Sequence, residues 1–144
     1  GVAAARGDVV LFVDDDEVVD RRLIAGHAGA YADVGVGGVA GRVLAPGGPP
    51  PAFERRESRI AKIRLSGLVI RDHFDADIRT GADHVRGCNM SFRKRAITRA
   101  GGFDGRFGGS AHLEETDLAC RVRAAGYRLV FEPAASLVHI LEAV

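Results

Sequence analysis

The sequence predicts an α/β fold: a mixed, mostly parallel sheet flanked by helices. Three observations carry this reading. The run Val9-Val10-Leu11-Phe12-Val13 is β-branched and aromatic without a polar interruption, which suits a strand covered on both faces in a parallel sheet. It ends in four consecutive acids, Asp14-Asp15-Asp16-Glu17. Beyond it, strand-like and helical segments alternate, the order in which sheet and helices bury one another.

Composition sets the outer bounds. A chain of 144 residues, 47% hydrophobic, with 19 Gly and no Trp, fits one small domain over residues 1–144 with an aromatic-poor core. The formal charge is +1, and the basic residues, mostly Arg, are spread along the chain, so no nucleic-acid footprint is expected. Two cysteines, Cys88 and Cys120, without a secretory signal read as reduced thiols in a cytoplasmic protein. No apolar run approaches the roughly 18 residues of a membrane span.

In chain order, Gly1 to Asp8 reads as an Ala-rich helical tail that looks cut, as if the sequence were the later part of a longer domain. Asp20 caps a helix over 21–31, whose apolar side includes Leu23, Ile24, His27 and Tyr31. His27 reads as a packed or surface residue rather than a ligand. Residues 38–44 form a Gly-rich strand ended by the Pro-Gly segment from Pro46 to Pro51. The charged stretch 53–65, with Ile60, Ile63 and Leu65 as a narrow seam, reads as a surface helix. Its basic side chains could also meet an anionic acceptor or a lipid surface.

A strand follows over Val85–Phe92, bending at Gly87 where its backbone approaches something closely. A short helix from Lys94 stops at Gly101-Gly102. Glu114-Glu115-Thr116-Asp117 opens the last helix, which ends at Gly126. Acids in a first helical turn gain about 0.3–1 kcal/mol each from the helix dipole. Three in four positions exceed what a cap needs. Strand Tyr127–Phe131 and the segment ending in His139 complete the chain.

Consecutive carboxylates repel one another and cannot be buried unpaired, so the cluster after Val13 calls for a positive partner. Hard oxygen ligands select Mg²⁺ or Mn²⁺. At the C-terminal end of a strand in an open α/β sheet, such an ion would hold a phosphate-bearing ligand.

Taken together, Phe12-Val13-Asp14-Asp15-Asp16, the segment Arg86–Arg93, Gly101-Gly102-Phe103-Asp104, Glu114-Glu115-Thr116-Asp117-Leu118 with Arg121, and Val138-His139 resemble the family 2 glycosyltransferases of the GT-A fold. The resemblance covers almost the whole chain. It implies a partial Rossmann-like GT-A domain whose nucleotide-binding strands precede Gly1, and a transferase that moves sugar from a nucleotide-sugar donor to an acceptor hydroxyl. By the same resemblance Asp14-x-Asp16 is the DXD motif, Asp16 and His139 are ligands of Mn²⁺ or Mg²⁺, and Asp14 and Asp15 lie by the donor. Glu115 is the general base, standing where Asp is commoner, and Glu114, Gly87 and Asn89 border the donor. Asp117 and Arg121 are structural.

Direct attack assisted by such a base inverts the anomeric configuration. The absence of Trp excludes the Gln-x-x-Arg-Trp motif of processive synthases, leaving single-sugar transfer in surface-glycan or secondary-metabolite glycosylation. The acceptor is a glycan, a lipid-linked molecule or a small molecule. Peripheral association with the inner membrane face, and a homodimer through an uncovered sheet edge, are compatible with this reading. Two alternatives are a haloacid-dehalogenase-like phosphotransferase, which lacks a suitable motif around Lys62 or Lys94, and an inactive metal-binding fragment.

Overall fold

Residues 1–47, 59–108 and 112–140 of a computed structural model are described. The Gly-rich stretch predicted as a strand becomes the longer β3 (Val36–Leu44), with β6 (Arg128–His139) parallel beside it. Around this pair are β5 (Asn89–Arg93), antiparallel to β3, and β1 (Val9–Val13), antiparallel to β5. The far side of β6 pairs with β4 (Thr80–Ala82) and with β2 (Glu17–Val19) at different heights. The order is β1-β5-β3-β6-β2.

The mixed sheet agrees with the prediction, but its balance does not. Among the described residues only β3 and β6 pair in parallel, so the sheet is not mostly parallel. β1, expected to lie in a parallel sheet, is instead an edge strand antiparallel to β5. Its side chains do touch apolar partners on both faces, Val9 on one and Val10 and Phe12 on the other. Among the described residues, however, its backbone pairs only with β5. An apolar run reports covered faces and says nothing about neighbours in the hydrogen-bonding direction.

Helix α1 (Leu23–Ala30) lies on one face, where Ala30 and Tyr31 meet Val36 and Val39. On the other face, Ile97 of α2 (Lys94–Arg99) and Leu118 and Val122 of α3 (Glu114–Ala124) join Ala40, Phe92 and Phe131. Gly26 lets α1 approach the sheet: a Cβ there would stand 2.6 Å from the Ala134 backbone. Gly126, at φ +93°, ends α3 as expected, and the Tyr127 N–H donates back to the Val122 carbonyl.

Three local expectations differ from the structure. The tail is a single 3₁₀ turn, Val2–Ala4. The described part of the expected 53–65 helix is instead a tight hairpin: Ile63 bridges Val69, Ile60 is buried and Leu65 is fully exposed. Residues 53–58 lie outside the described residues. The strand expected over 85–92 starts only at Asn89.

Three residues, Asp14 to Asp16, join β1 at one edge of the sheet to β2 at the other. An extended chain from Val13 to Glu17 spans at most about 14 Å. Four flat inter-strand spacings would need about 19 Å. The sheet therefore curls, helped by the register break at which Gly41 pairs Glu132 and Arg42 pairs Ser136. That curl carries the acid turn to the end of β6.

Candidate active site

The β2–β6 ladder sets Glu17 directly opposite His139. His139 Nδ1 lies 2.7 Å from Glu17 Oε1 and 3.8 Å from Asp16 Oδ2. The Glu17 side chain has no solvent exposure, and its second oxygen, Oε2, is buried with no hydrogen-bond partner. Asp14, Asp16 and Glu17 bring one carboxylate oxygen each within 4.8 Å of one another. Asp14, Asp15 and Asp16 are exposed around the turn, and Asp16 is half accessible beside a largely covered His139.

Below the turn lies Cys88, one residue before β5. Burial, with the Glu17 charge as the second cause, pushes its thiol up to about 12. Its Sγ lies within 4.8 Å of ligand atoms of both Glu17 and His139.

The expected convergence is thus partial. Asp14, Asp16 and His139 do come together, around a Glu17 that sequence reasoning did not single out. Glu115 belongs to neither compact group of ligand atoms among the described residues. It lines a cavity of about 250 Å³ with Arg71, Asp72, His84 and Arg86. The Arg86 charge also acts on the nearby Cys88 thiol, opposing the effect of burial. Glu114 is half-buried in the same helical turn as Glu115.

Asn89 is corrected as a donor contact. It is fully buried, and Nδ2 donates to the Arg42 and Ala135 carbonyls, each at 2.9 Å. With both amide hydrogens so used, Oδ1 accepts from His27 Nε2 at 2.8 Å. His27 Nδ1 then accepts from the Ser91 hydroxyl at 2.8 Å, and Ser91 accepts from Tyr31 at 2.9 Å. Every proton in this chain has one direction, and the ring is neutral. Burial holds His27 below its ordinary value, in agreement. His27, read from sequence as packed or at the surface, is a core residue. Beyond its chain neighbours, no described protein atom lies within 4 Å of where a Cβ at Gly87 would stand. Arg121 donates to Asp117 at 2.6 Å and to the Gly102 carbonyl, the structural role expected of that pair.

The mixed sheet with helices on both faces recurs in solved structures. A mannosyltransferase from Pyrobaculum calidifontis, solved with GDP-Man and Mn²⁺, superposes with TM-score 0.64 at 20% identity, covering 98% of this chain and 34% of that one. GalNAc-T7, solved with UDP, GalNAc and Mn²⁺, superposes with TM-score 0.70 at 14% identity, covering 98% of this chain and 29% of that one. The fold is of the GT-A type. No protein-family model and no curated protein matches the chain. The chain spans about a third of the length of these GT-A neighbours. Among the described residues, no helix is long and apolar enough to cross a membrane.

The donor set fits a divalent cation on this structure's own evidence. Three carboxylates within reach of one another and an imidazole beside them suit Mn²⁺ or Mg²⁺.

Proposed function

We propose that this chain carries the metal-binding and base-bearing part of a nucleotide-sugar-dependent glycosyltransferase. The observation that supports it most directly is Asp16 and His139 brought to 3.8 Å by the β2–β6 ladder on a GT-A-type fold. Asp14, Asp16 and His139 would hold the cation, with Glu17 fixing His139 from beneath. Bound there, Mn²⁺ or Mg²⁺ would supply positive charge for a leaving diphosphate.

The other parts are played by the chain. Asp15 and Asp14 border the donor at the exposed turn, and Gly87 and Glu114 line its approach. Glu115, in a cavity that also holds Arg71 and Arg86, takes the proton of the acceptor hydroxyl as the new glycosidic bond forms. A base in that position gives inversion, and single-sugar transfer is the mode proposed. The donor is a nucleotide sugar, as in the two solved neighbours, and the acceptor is a glycan, a lipid-linked molecule or a small molecule. A cytoplasmic site, with contact at the inner membrane face, belongs to the same proposal. The GT-A-type fold favours this reading over a phosphotransferase.

Calorimetric titration of Mn²⁺, followed by a panel of nucleotide sugars with product analysis, tests it. Asp16→Asn is expected to weaken Mn²⁺ binding about tenfold or more. Glu115→Gln keeps the shape and loses the basicity, so turnover should fall about 10²–10⁴-fold with Mn²⁺ binding unchanged. Wild-type turnover in Glu115→Gln would remove that residue from the mechanism. Hydrolysis of aryl phosphates with no sugar transfer would replace the reading by the phosphotransferase one.

A further inference from the structure

Two overlapping donor sets meet below the acid turn, and Cys88 belongs to only one of them. Asp14, Asp16 and Glu17 form a hard, all-oxygen group, whereas Glu17, Cys88 and His139 bring a carboxylate, a thiol and an imidazole within 4.8 Å of one another. Nothing in the proposed transfer needs the thiol. A second observation points into the same place: the Glu17 side chain is wholly covered, yet Oε2 has no partner. A buried carboxylate oxygen left unpaired is costly, and a cation removes that cost.

We propose that Glu17, Cys88 and His139 form an alternative, buried site for a borderline-soft divalent cation of the Zn²⁺ class, sharing His139 with the cation proposed for sugar transfer. Sulfur and nitrogen ligands together select such ions over Mg²⁺ and Mn²⁺. Bonds of about 2.0–2.3 Å place the ligand atoms of a tetrahedral ion about 3.5 Å apart. The three ligand atoms lie within 4.8 Å of one another, so a bound ion would draw them to that spacing. Asp16 Oδ2, 3.8 Å from His139 Nδ1, stands ready as a fourth ligand.

Binding needs no oxidant. The Cys88 S–H bond breaks, its electron pair goes to the ion and its proton to solvent. The ion stands in for the proton between His139 Nδ1 and Glu17 Oε1, which moves to the other ring nitrogen. At least one proton is released per ion. The site shares His139 and Asp16 with the cation proposed for sugar transfer, so the two ions exclude each other, and its test requires neither donor nor acceptor.

Co²⁺, added to the 144-residue chain, is the spectroscopic probe. Wild type and Cys120→Ser should both develop a thiolate-to-cobalt charge-transfer band that Zn²⁺ abolishes and equimolar Mn²⁺ does not. Cys88→Ser should lose the band, and Cys88→Ala, which keeps an apolar side chain in the core, should lose it too. Circular dichroism confirms that each variant is folded. A third reading uses wild type only: in moderate urea, Zn²⁺ should slow alkylation of Cys88 and leave that of Cys120 unchanged. Absence of the band in folded wild type, its survival in either Cys88 variant, or equal alkylation with and without Zn²⁺ would overturn the site. None of these outcomes bears on whether Glu115 serves sugar transfer, which the Glu115→Gln turnover assay reads separately.

Discussion

Asn89 shows how much one buried side chain can hold. Its amide joins β3, β6 and α1 through two carbonyls and the His27 ring. Asn89→Ala leaves three buried groups unpartnered at about 1–3 kcal/mol each, so a loss of about 3 kcal/mol or more is expected in urea unfolding. His27 adds a pH dependence. Burial lowers its folded pKa, opposed in part by the bond to Asn89, so the unfolded chain takes up a proton that the folded chain refuses. Stability present above about pH 6.5 is then lost as pH falls through the folded value. The urea midpoint should be lower at pH 5.5 than at pH 7.5, and His27→Gln should shrink that difference. Cys88 and Cys120 separate by environment. Cys88 is buried, with its thiol held up to about 12, and Cys120 is exposed. Iodoacetamide should therefore label Cys120 first in the native chain, as peptide mapping would show.

At the scale of elements, α1 illustrates packing against propensity. Alanine is favoured over glycine in a helix by about 1 kcal/mol. At Gly26, however, the added methyl would meet the Ala134 backbone at 2.6 Å, where no flexible side chain can yield. Overpacking of this kind costs about 1–3 kcal/mol. Gly26→Ala should therefore lower the melting temperature, whereas Gly29→Ala, with nothing within 4 Å of its Cβ, should raise or preserve it. Calorimetry on the pair decides whether contact with β6 outweighs helix propensity. Strand β5 carries a related lesson. Its alternation of Asn89 and Ser91 with Met90 and Phe92 reads as one wet and one dry face, yet all four are buried, because α1 brings His27 and Tyr31 to the polar side.

At the scale of the molecule, the curl of the sheet both builds the site and leaves β1 exposed along its backbone. Only one side of β1 is paired among the described residues, and Val13 at its end is exposed. Unpaired strand edges template association. Light scattering over a concentration series should therefore show a dimer or larger species. A monodisperse monomer at every concentration would show that the edge is protected in solution.

The sequence by itself determined the elements whose signals are local: the apolar β1 run, the acid-opened α3 with its Gly126 stop, and the alternation that gives an α/β fold. It also singled out Asp14, Asp16 and His139, because their residue types and order resemble a known arrangement. Tertiary structure alone decided the rest. The edge position of β1 depends on strand pairing, which an apolar run does not encode. The role of Asn89 depends on carbonyls of Arg42 and Ala135, both more than forty residues away in sequence. Glu17 sat unnoticed at the end of an acidic run until the β2–β6 ladder buried it against His139 and Cys88. Side-chain chemistry can be read from sequence, but burial and distance between remote residues arise only when the sheet closes.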